Sequence, residues 1–193
     1  YGHVLAQGSG IFVRDDSTIV TNAHVVESAS NIRIRLGDGR NLVNPKVVEI
    51  DKVHDLALIR VEPTGLSPLP LSTTAPSVGQ EIMTIGTPKG LQNTLSTGVV
   101  SGIRVHEQLT VYQITAPLSP GSSGGPVLDE DGQVLGVATF YILDGQNLNF
   151  AVPSEYLLEL LAIDESTARP ARAPEQMRIW IDESGVTHIT NDP

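Results

Sequence analysis

At 193 residues, with 40% apolar and 18% charged side chains, the chain has the size and composition of a globular domain with a core of its own, plus a tail. Its 22 acidic residues against 12 Lys and Arg leave a net charge of −10, which argues against nucleic acid and anionic membrane surfaces as partners. The absence of cysteine excludes disulfides, thiol chemistry and cysteine-ligated zinc, and no stretch approaches the roughly 18 apolar residues of a membrane span.

Short β-type runs punctuated by Gly, Pro, Asn and Asp predict an all-β barrel protein. In Ile19-Val20-Thr21-Asn22-Ala23-His24-Val25-Val26 a histidine directly follows such a run, where a strand end presents a side chain to a cleft. Ile32-Arg33-Ile34-Arg35-Leu36 alternates strictly, as a half-buried strand does. In Val53-His54-Asp55-Leu56-Ala57-Leu58-Ile59-Arg60 an acid heads an apolar run, which suits a carboxylate buried at a strand start. Asp51 is the competing acid, and His54 is expected to point away, into solvent or surface packing. Four prolines between Pro63 and Ser77 then break the pattern and predict a connection between two barrels.

Pro120-Gly121-Ser122-Ser123-Gly124-Gly125-Pro126 encloses a serine in glycines. A glycine two residues before Ser123 lets the backbone curl so that the N–H groups of Gly121 and Ser123 point at one spot, where an oxyanion can be held. Gly and Ser are also the commonest turn residues, so the loop alone would equally suit a plain turn. Ser122 stands one residue too early for a Gly-x-Ser-Gly-Gly pattern. Val134-Leu135-Gly136-Val137-Ala138 reads as a buried strand. A helix is predicted from Ser154 to Ile163, with Ser154 as cap and Leu157, Leu158, Leu160 and Leu161 as its apolar face, packed back on the barrels. Residues 164–177 read as a linker, and 178–193 as a hairpin turning at Glu183-Ser184-Gly185. Its Trp180, with Ile179 and Ile181, needs cover from its own barrel or from a neighbouring molecule, so association through the hairpin is an expected route to an oligomer.

His24, Asp55 and Ser123 follow one another in the order of one of the known Ser-His-Asp triads, separated by 55 − 24 = 31 and 123 − 55 = 68 residues. In that arrangement His24 takes the Ser123 proton and later donates it to the leaving amine. His3, His106 and His188 are scattered without metal-ligand spacing, so neither a metal nor another cofactor is expected.

With these residues in view, the chain resembles the trypsin-like serine proteases, and most closely the bacterial high-temperature-requirement (HtrA/Deg) branch. The resemblance is carried by Gln7-Gly8-Ser9-Gly10-Ile11, Thr21-Asn22-Ala23-His24-Val25-Val26, His54-Asp55-Leu56-Ala57-Leu58, the run from Val78 through Gly86-Thr87-Pro88-Lys89-Gly90, Gly98-Val99-Val100-Ser101-Gly102, the serine loop, and Asn149-Phe150-Ala151-Val152-Pro153. It implies two antiparallel six-stranded β-barrels, about 1–65 and 78–153, with the triad between them and the helix 154–163 closing a protease domain of residues 1–163. It also implies endopeptidase activity on protein or peptide substrates and a place in the bacterial cell envelope, periplasmic or secreted. The primary pocket is then walled around Ala116, Pro117 and Leu118 and by Ala138, Thr139, Phe140, Tyr141 and Ile142, none acidic, which favours small or medium aliphatic residues over Lys or Arg.

The chain departs from the family in two places. Ser122 stands where the HtrA branch often has Asn and the digestive branch an Asp that pairs with a new N-terminus, so activation by a terminal salt bridge is not expected. The 193 − 153 = 40 residues after Pro153 are too few for the PDZ domain that usually follows. The tail resembles instead the opening of a small domain found in bacterial envelope proteins.

Overall fold

Strands dominate the structure, a computed structural model that describes residues 6–86, 94–106, 109–143, 146–167, 178–181 and 187–190. The chain divides into two units, Tyr1–Leu161 and Ala162–Pro193.

The first half of the larger unit contains β1 (Ile11–Phe12), β2 (Thr18–Thr21), the one-turn helix α1 (Ala23–Val26), β3 (Ile34–Arg35), β4 (Asn41–Leu42), β5 (Lys46–Asp51) and β6 (Leu56–Arg60). Six strands are present, but they pair as a four-stranded antiparallel sheet in the order β1-β2-β6-β5 and a separate ribbon β3-β4. Among the described residues this half therefore does not close into a continuous ladder. The alternating segment from Ile32 to Leu36 contributes only Ile34 and Arg35 to a strand. Strands two residues long are too short to bridge two neighbours.

The second half closes fully. β7 (Glu81–Gly86), β8 (Thr94–His106), β9 (Leu109–Ile114), β10 (Pro126–Leu128), β11 (Val134–Leu143) and β12 (Gln146–Pro153) form a six-stranded barrel in the order β10-β11-β12-β9-β8-β7, sealed where Val127 pairs with Thr84.

The core explains why the two halves form one unit. All four residues of β2 and the first four of β6 are buried, because successive side chains point to opposite faces and both faces are covered. Ile19, Ala57 and Ile59 turn into the first half's own cluster, with Val26 and Val61. Val20, Leu56 and Leu58 turn the other way and join Leu128, Val134, Val137 and Val152 of the barrel in a shared cluster. Leu56 and Leu58 are 0% exposed, and burying a side chain of that size contributes about 1.5–3 kcal/mol. The Pro-rich connection is stitched to both halves: Leu69 N–H donates to Phe12 O at 2.9 Å, and Ser72 N–H to Val134 O at 3.0 Å.

Helix α2 spans Ser154–Thr167, past the Ile163 end expected from sequence. Leu157, Leu160 and Leu161 enter the shared cluster, while Leu158 stays 37% exposed, since only the i, i+3, i+4 spacing shares one helix face. The Ser154 hydroxyl donates to Ser72 O at 2.7 Å, tying the helix start to the connection. In the smaller unit, β13 (Arg178–Ile181) and β14 (Thr187–Thr190) pair antiparallel with Trp180 opposite His188. The expected turn at Glu183-Ser184-Gly185 and the Trp180 side chain lie outside the described residues, as does most of the expected linker.

Candidate active site

His24 sits on the one-turn helix α1 rather than at a strand end. Asn22 is extended (φ −75°, ψ 146°), and the chain then curls once, closed by Glu27 N–H on Ala23 O at 2.8 Å. Ala23 and Val26 of that turn are buried, which leaves His24 directed outward with its side chain 46% exposed.

Asp55 immediately precedes β6 with φ +55°, a left-handed conformation that Asp tolerates better than most residues. Two donors fix its peptide there: Asn22 Nδ2–H reaches Asp55 O at 3.0 Å and Ala23 N–H reaches the same oxygen at 3.1 Å. The turn that carries the histidine thus also holds the acid. Asp55 Oδ1 accepts the His24 backbone N–H at 3.0 Å, and the carboxylate meets His24 Nδ1 at 2.8 Å (Oδ2) and 3.0 Å (Oδ1). A carboxylate only accepts, so it selects the tautomer with hydrogen on Nδ1 and leaves Nε2 as an acceptor. The hydrogen bond to Asp55 raises the His24 pKa above the ordinary imidazole value, against partial burial, which acts to lower it.

Asp51, the competing acid, lies against the other histidine. His54 Nδ1 meets Asp51 Oδ2 at 2.5 Å, and the His54 ring stacks on Tyr156 with centroids 3.9 Å apart. Two His–Asp pairs therefore stand side by side, His24 with Asp55 and His54 with Asp51.

Ser123 comes from the barrel half. Ser122 N–H bonds to Ser119 O at 2.8 Å, closing a turn with Pro120 at its second position and Gly121 (φ +100°) at its third, the pattern of a type II turn. Gly124 (φ +87°) lies so close to Ser9 O and Thr21 Oγ1 that no Cβ would fit. The N–H groups of Ser122, Gly124 and Gly125 go to Ser119 O, Ala138 O and Ser122 O, whereas those of Gly121 and Ser123 have no acceptor among the described residues. Ser123 is 2% exposed, and its Oγ has no hydrogen-bond partner, so the contact to His24 is not made in this conformation.

Of the expected pocket residues, Leu118 is half-buried and packs against the barrel core. Thr139 is 1% exposed and its Oγ1–H donates to Asp55 Oδ2 at 3.4 Å, so this hydroxyl from β11 supports the acid across the two halves. The side chains of Phe140 and Tyr141 lie outside the described residues. Asn22 and Ser9 have no role that the sequence singles out. Both stand inside the Thr-Asn-Ala-His and Gln-Gly-Ser-Gly segments, which was the available signal.

A family model described as the trypsin-like peptidase domain matches residues 8–137. Protease Do-like 1, chloroplastic, of Arabidopsis thaliana is 38% identical over 207 residues, covering 96% of this chain and 47% of that protein. A Halomonas elongata protein named "Probable periplasmic serine endoprotease DegP-like" is 35% identical over 161 residues, covering 79% of this chain and 34% of its own length. Among solved structures, the serine endoprotease of Yersinia pestis superposes with a TM-score of 0.75 at 26% identity, covering 94% of this chain and 64% of the other. The chain spans less than half the length of the curated relatives it matches.

Proposed function

The chain belongs to the trypsin-like peptidase family, and on that premise we propose that it is a serine endopeptidase with Ser123 as nucleophile, His24 as general base and Asp55 as the acid that orients His24. The observation that carries this reading is the pair of N–H groups at Gly121 and Ser123, which have no acceptor among the described residues, beside a buried Ser123 hydroxyl, in a loop whose other N–H groups are bonded.

For reaction the Ser123 hydroxyl turns to His24 Nε2. As Oγ bonds to the scissile carbonyl carbon its proton passes to Nε2, and the carbonyl oxygen becomes an oxyanion facing the N–H groups of Gly121 and Ser123. Each such donor is worth on the order of 10²–10³ in turnover. Collapse breaks the C–N bond while Nε2–H gives its proton to the departing amine, leaving an acyl ester on Ser123. Water then adds to that ester, losing a proton to Nε2, and Oγ leaves with the proton returned. Asp55 stabilises the imidazolium in both halves of the cycle and is not itself protonated.

The substrates are proteins or peptides laid as an added strand beside β11, with a small or medium aliphatic residue before the scissile bond, since Leu118 and the rest of the expected pocket wall carry no charge. A cell-envelope location is supported by the relative named as periplasmic. Among the described residues no helix is long and apolar enough to cross a membrane.

A second reading, a silent protease-like scaffold that binds peptides without turnover, is favoured by the burial of Ser123 Oγ away from any partner. Labelling the purified chain with a fluorophosphonate separates the two. Covalent modification at Ser123 that Ser123→Ala abolishes supports the enzyme, and no modification with peptide binding retained supports the scaffold.

A further inference from the structure

Among the described residues, the loop that holds Ser123 is anchored by hydrogen bonds from the opposite half of the unit through Ser9. Its hydroxyl donates to Gly121 O at 2.7 Å, and its backbone N–H donates to Ser123 O, also at 2.7 Å. Ser9 is held in turn by Thr21, whose Oγ1–H donates to Ser9 O at 2.7 Å. Thr21 ends β2, three residues before His24. A continuous path of hydrogen bonds therefore runs from the strand that leads into the histidine, through Ser9, to both flanks of Ser122. With Gly125 N–H on Ser122 O at 3.0 Å, all three carbonyls from Gly121 to Ser123 are engaged.

We propose that Ser9 is a positioning residue for acyl transfer: its hydroxyl sets the plane of the Gly121–Ser122 peptide, and thereby the aim of the Gly121 and Ser123 N–H groups, in register with His24. The inference rests on the serine-protease reading of the same site.

The side chain matters because the two bonds that Ser9 gives have different origins. Any residue but proline at this position supplies the N–H on Ser123 O, whereas the bond to Gly121 O comes from the side-chain hydroxyl. Gly121 is where the loop most needs an anchor, since it has no side chain, sits at φ +100°, and is the third residue of a turn closed by a single backbone bond. Rotation of the peptides about Gly121 turns a donor away from the spot where an oxyanion forms. A misplacement of about 1 Å at a reacting centre costs on the order of 10² in rate. Position 9 thus acts through Gly121, without touching the substrate or the reacting atoms itself.

The test uses Ser9→Ala, which removes the hydroxyl, and Ser9→Thr, which keeps it, in the full chain. Three readouts are taken: kcat and KM on a peptide anilide, the rate of fluorophosphonate acylation, and hydrogen exchange of the Ser122 amide, which reports whether the turn stays closed regardless of turnover. Ser9→Ala is expected to lose about ten- to a hundredfold in kcat and in acylation rate with KM within about twofold, and to lose Ser122 protection. Ser9→Thr is expected to retain most of all three. Wild-type kcat in Ser9→Ala, or an equal loss in Ser9→Thr, overturns the proposal. If the wild-type chain itself neither labels nor hydrolyses, the protease reading falls, and the Ser122 amide then decides alone: equal protection in wild type and Ser9→Ala removes the anchoring role.

Discussion

Asp55 holds His24 at two points, taking its backbone N–H on Oδ1 at 3.0 Å and its ring Nδ1 on Oδ2 at 2.8 Å. The backbone contact fixes where the residue sits, and the ring contact fixes which nitrogen carries the hydrogen. Asp55→Asn keeps the shape but offers a donor toward Nδ1, which favours the wrong tautomer. Turnover is expected to drop on the order of 10⁴-fold with the fold intact, and a steady-state assay alongside a thermal melt checks it. A variant within tenfold of wild type would remove Asp55 from the role.

The same bond sets the pH dependence. Hydrogen bonding to Asp55 raises the His24 pKa from the ordinary imidazole value, so the protonated form, which cannot accept the serine proton, persists to higher pH. The acidic limb of kcat/KM is expected to have its midpoint above about 6.5 and to move down in any residual activity of Asp55→Asn. For stability the sign is opposite. The raised pKa means the His24–Asp55 pair contributes fully below the unfolded-state value of about 6.5, and that contribution fades as pH climbs through the folded-state pKa. A pH–rate profile and pH-dependent melts report the two effects separately.

Adjacent serines should behave differently. Ser122 Oγ is engaged with the Ser119 N–H at 3.4 Å, whereas Ser123 Oγ has no partner. Ser123→Ala is expected to lose on the order of 10⁶ in turnover, and Ser122→Ala to keep most of it. Equal losses in a peptide assay would reassign the nucleophile.

Asn22 offers a test of how the acid is held. Its Nδ2 is bonded to Asp55 O while its Oδ1 is buried without a partner. Asn22→Ala should cost about 1 kcal/mol of stability and lower turnover about tenfold, because the left-handed Asp55 peptide loses one of its two donors. In an Asp55→Asn background the further loss should be smaller, since both changes act through one group. Additive losses in the double-mutant cycle would show that Asn22 acts elsewhere.

Among the described residues, the three apolar clusters all lie between Ile11 and Leu161. Deleting residues 168–193 is therefore expected to leave a cooperative melt and unchanged strand content by circular dichroism. Loss of cooperative unfolding would show that the tail is required for the fold.

Several features were legible in the chain because they depend on local chemistry. A histidine after a β-type run, an acid heading Leu-Ala-Leu, and a serine between glycines each need their residue types at short range, and the order His24, Asp55, Ser123 made them one hypothesis. The β-rich class and the helix after Pro153 followed from periodicity, which is a property of neighbours. Other features depend on approaches between distant segments. The Ile32–Leu36 alternation does not reveal that only two residues find a pairing partner, because pairing depends on what the Asn41–Leu42 segment can reach. Thr139, expected from sequence as a pocket wall, also donates its hydroxyl to Asp55, 84 residues away, a contact that the sequence does not announce. Ser9 and Gly121 are 112 residues apart, and nothing in either segment announces the bond between them. Sequence alone determined which candidate residues for the proposed acyl transfer the chain carries and in what order. The tertiary structure alone decided which segments share hydrogen bonds: His24 meets Asp55 within the first half, whereas the Ser9–Gly121 and Thr139–Asp55 bonds cross to the barrel, where Val20, Leu56 and Leu58 bury against it.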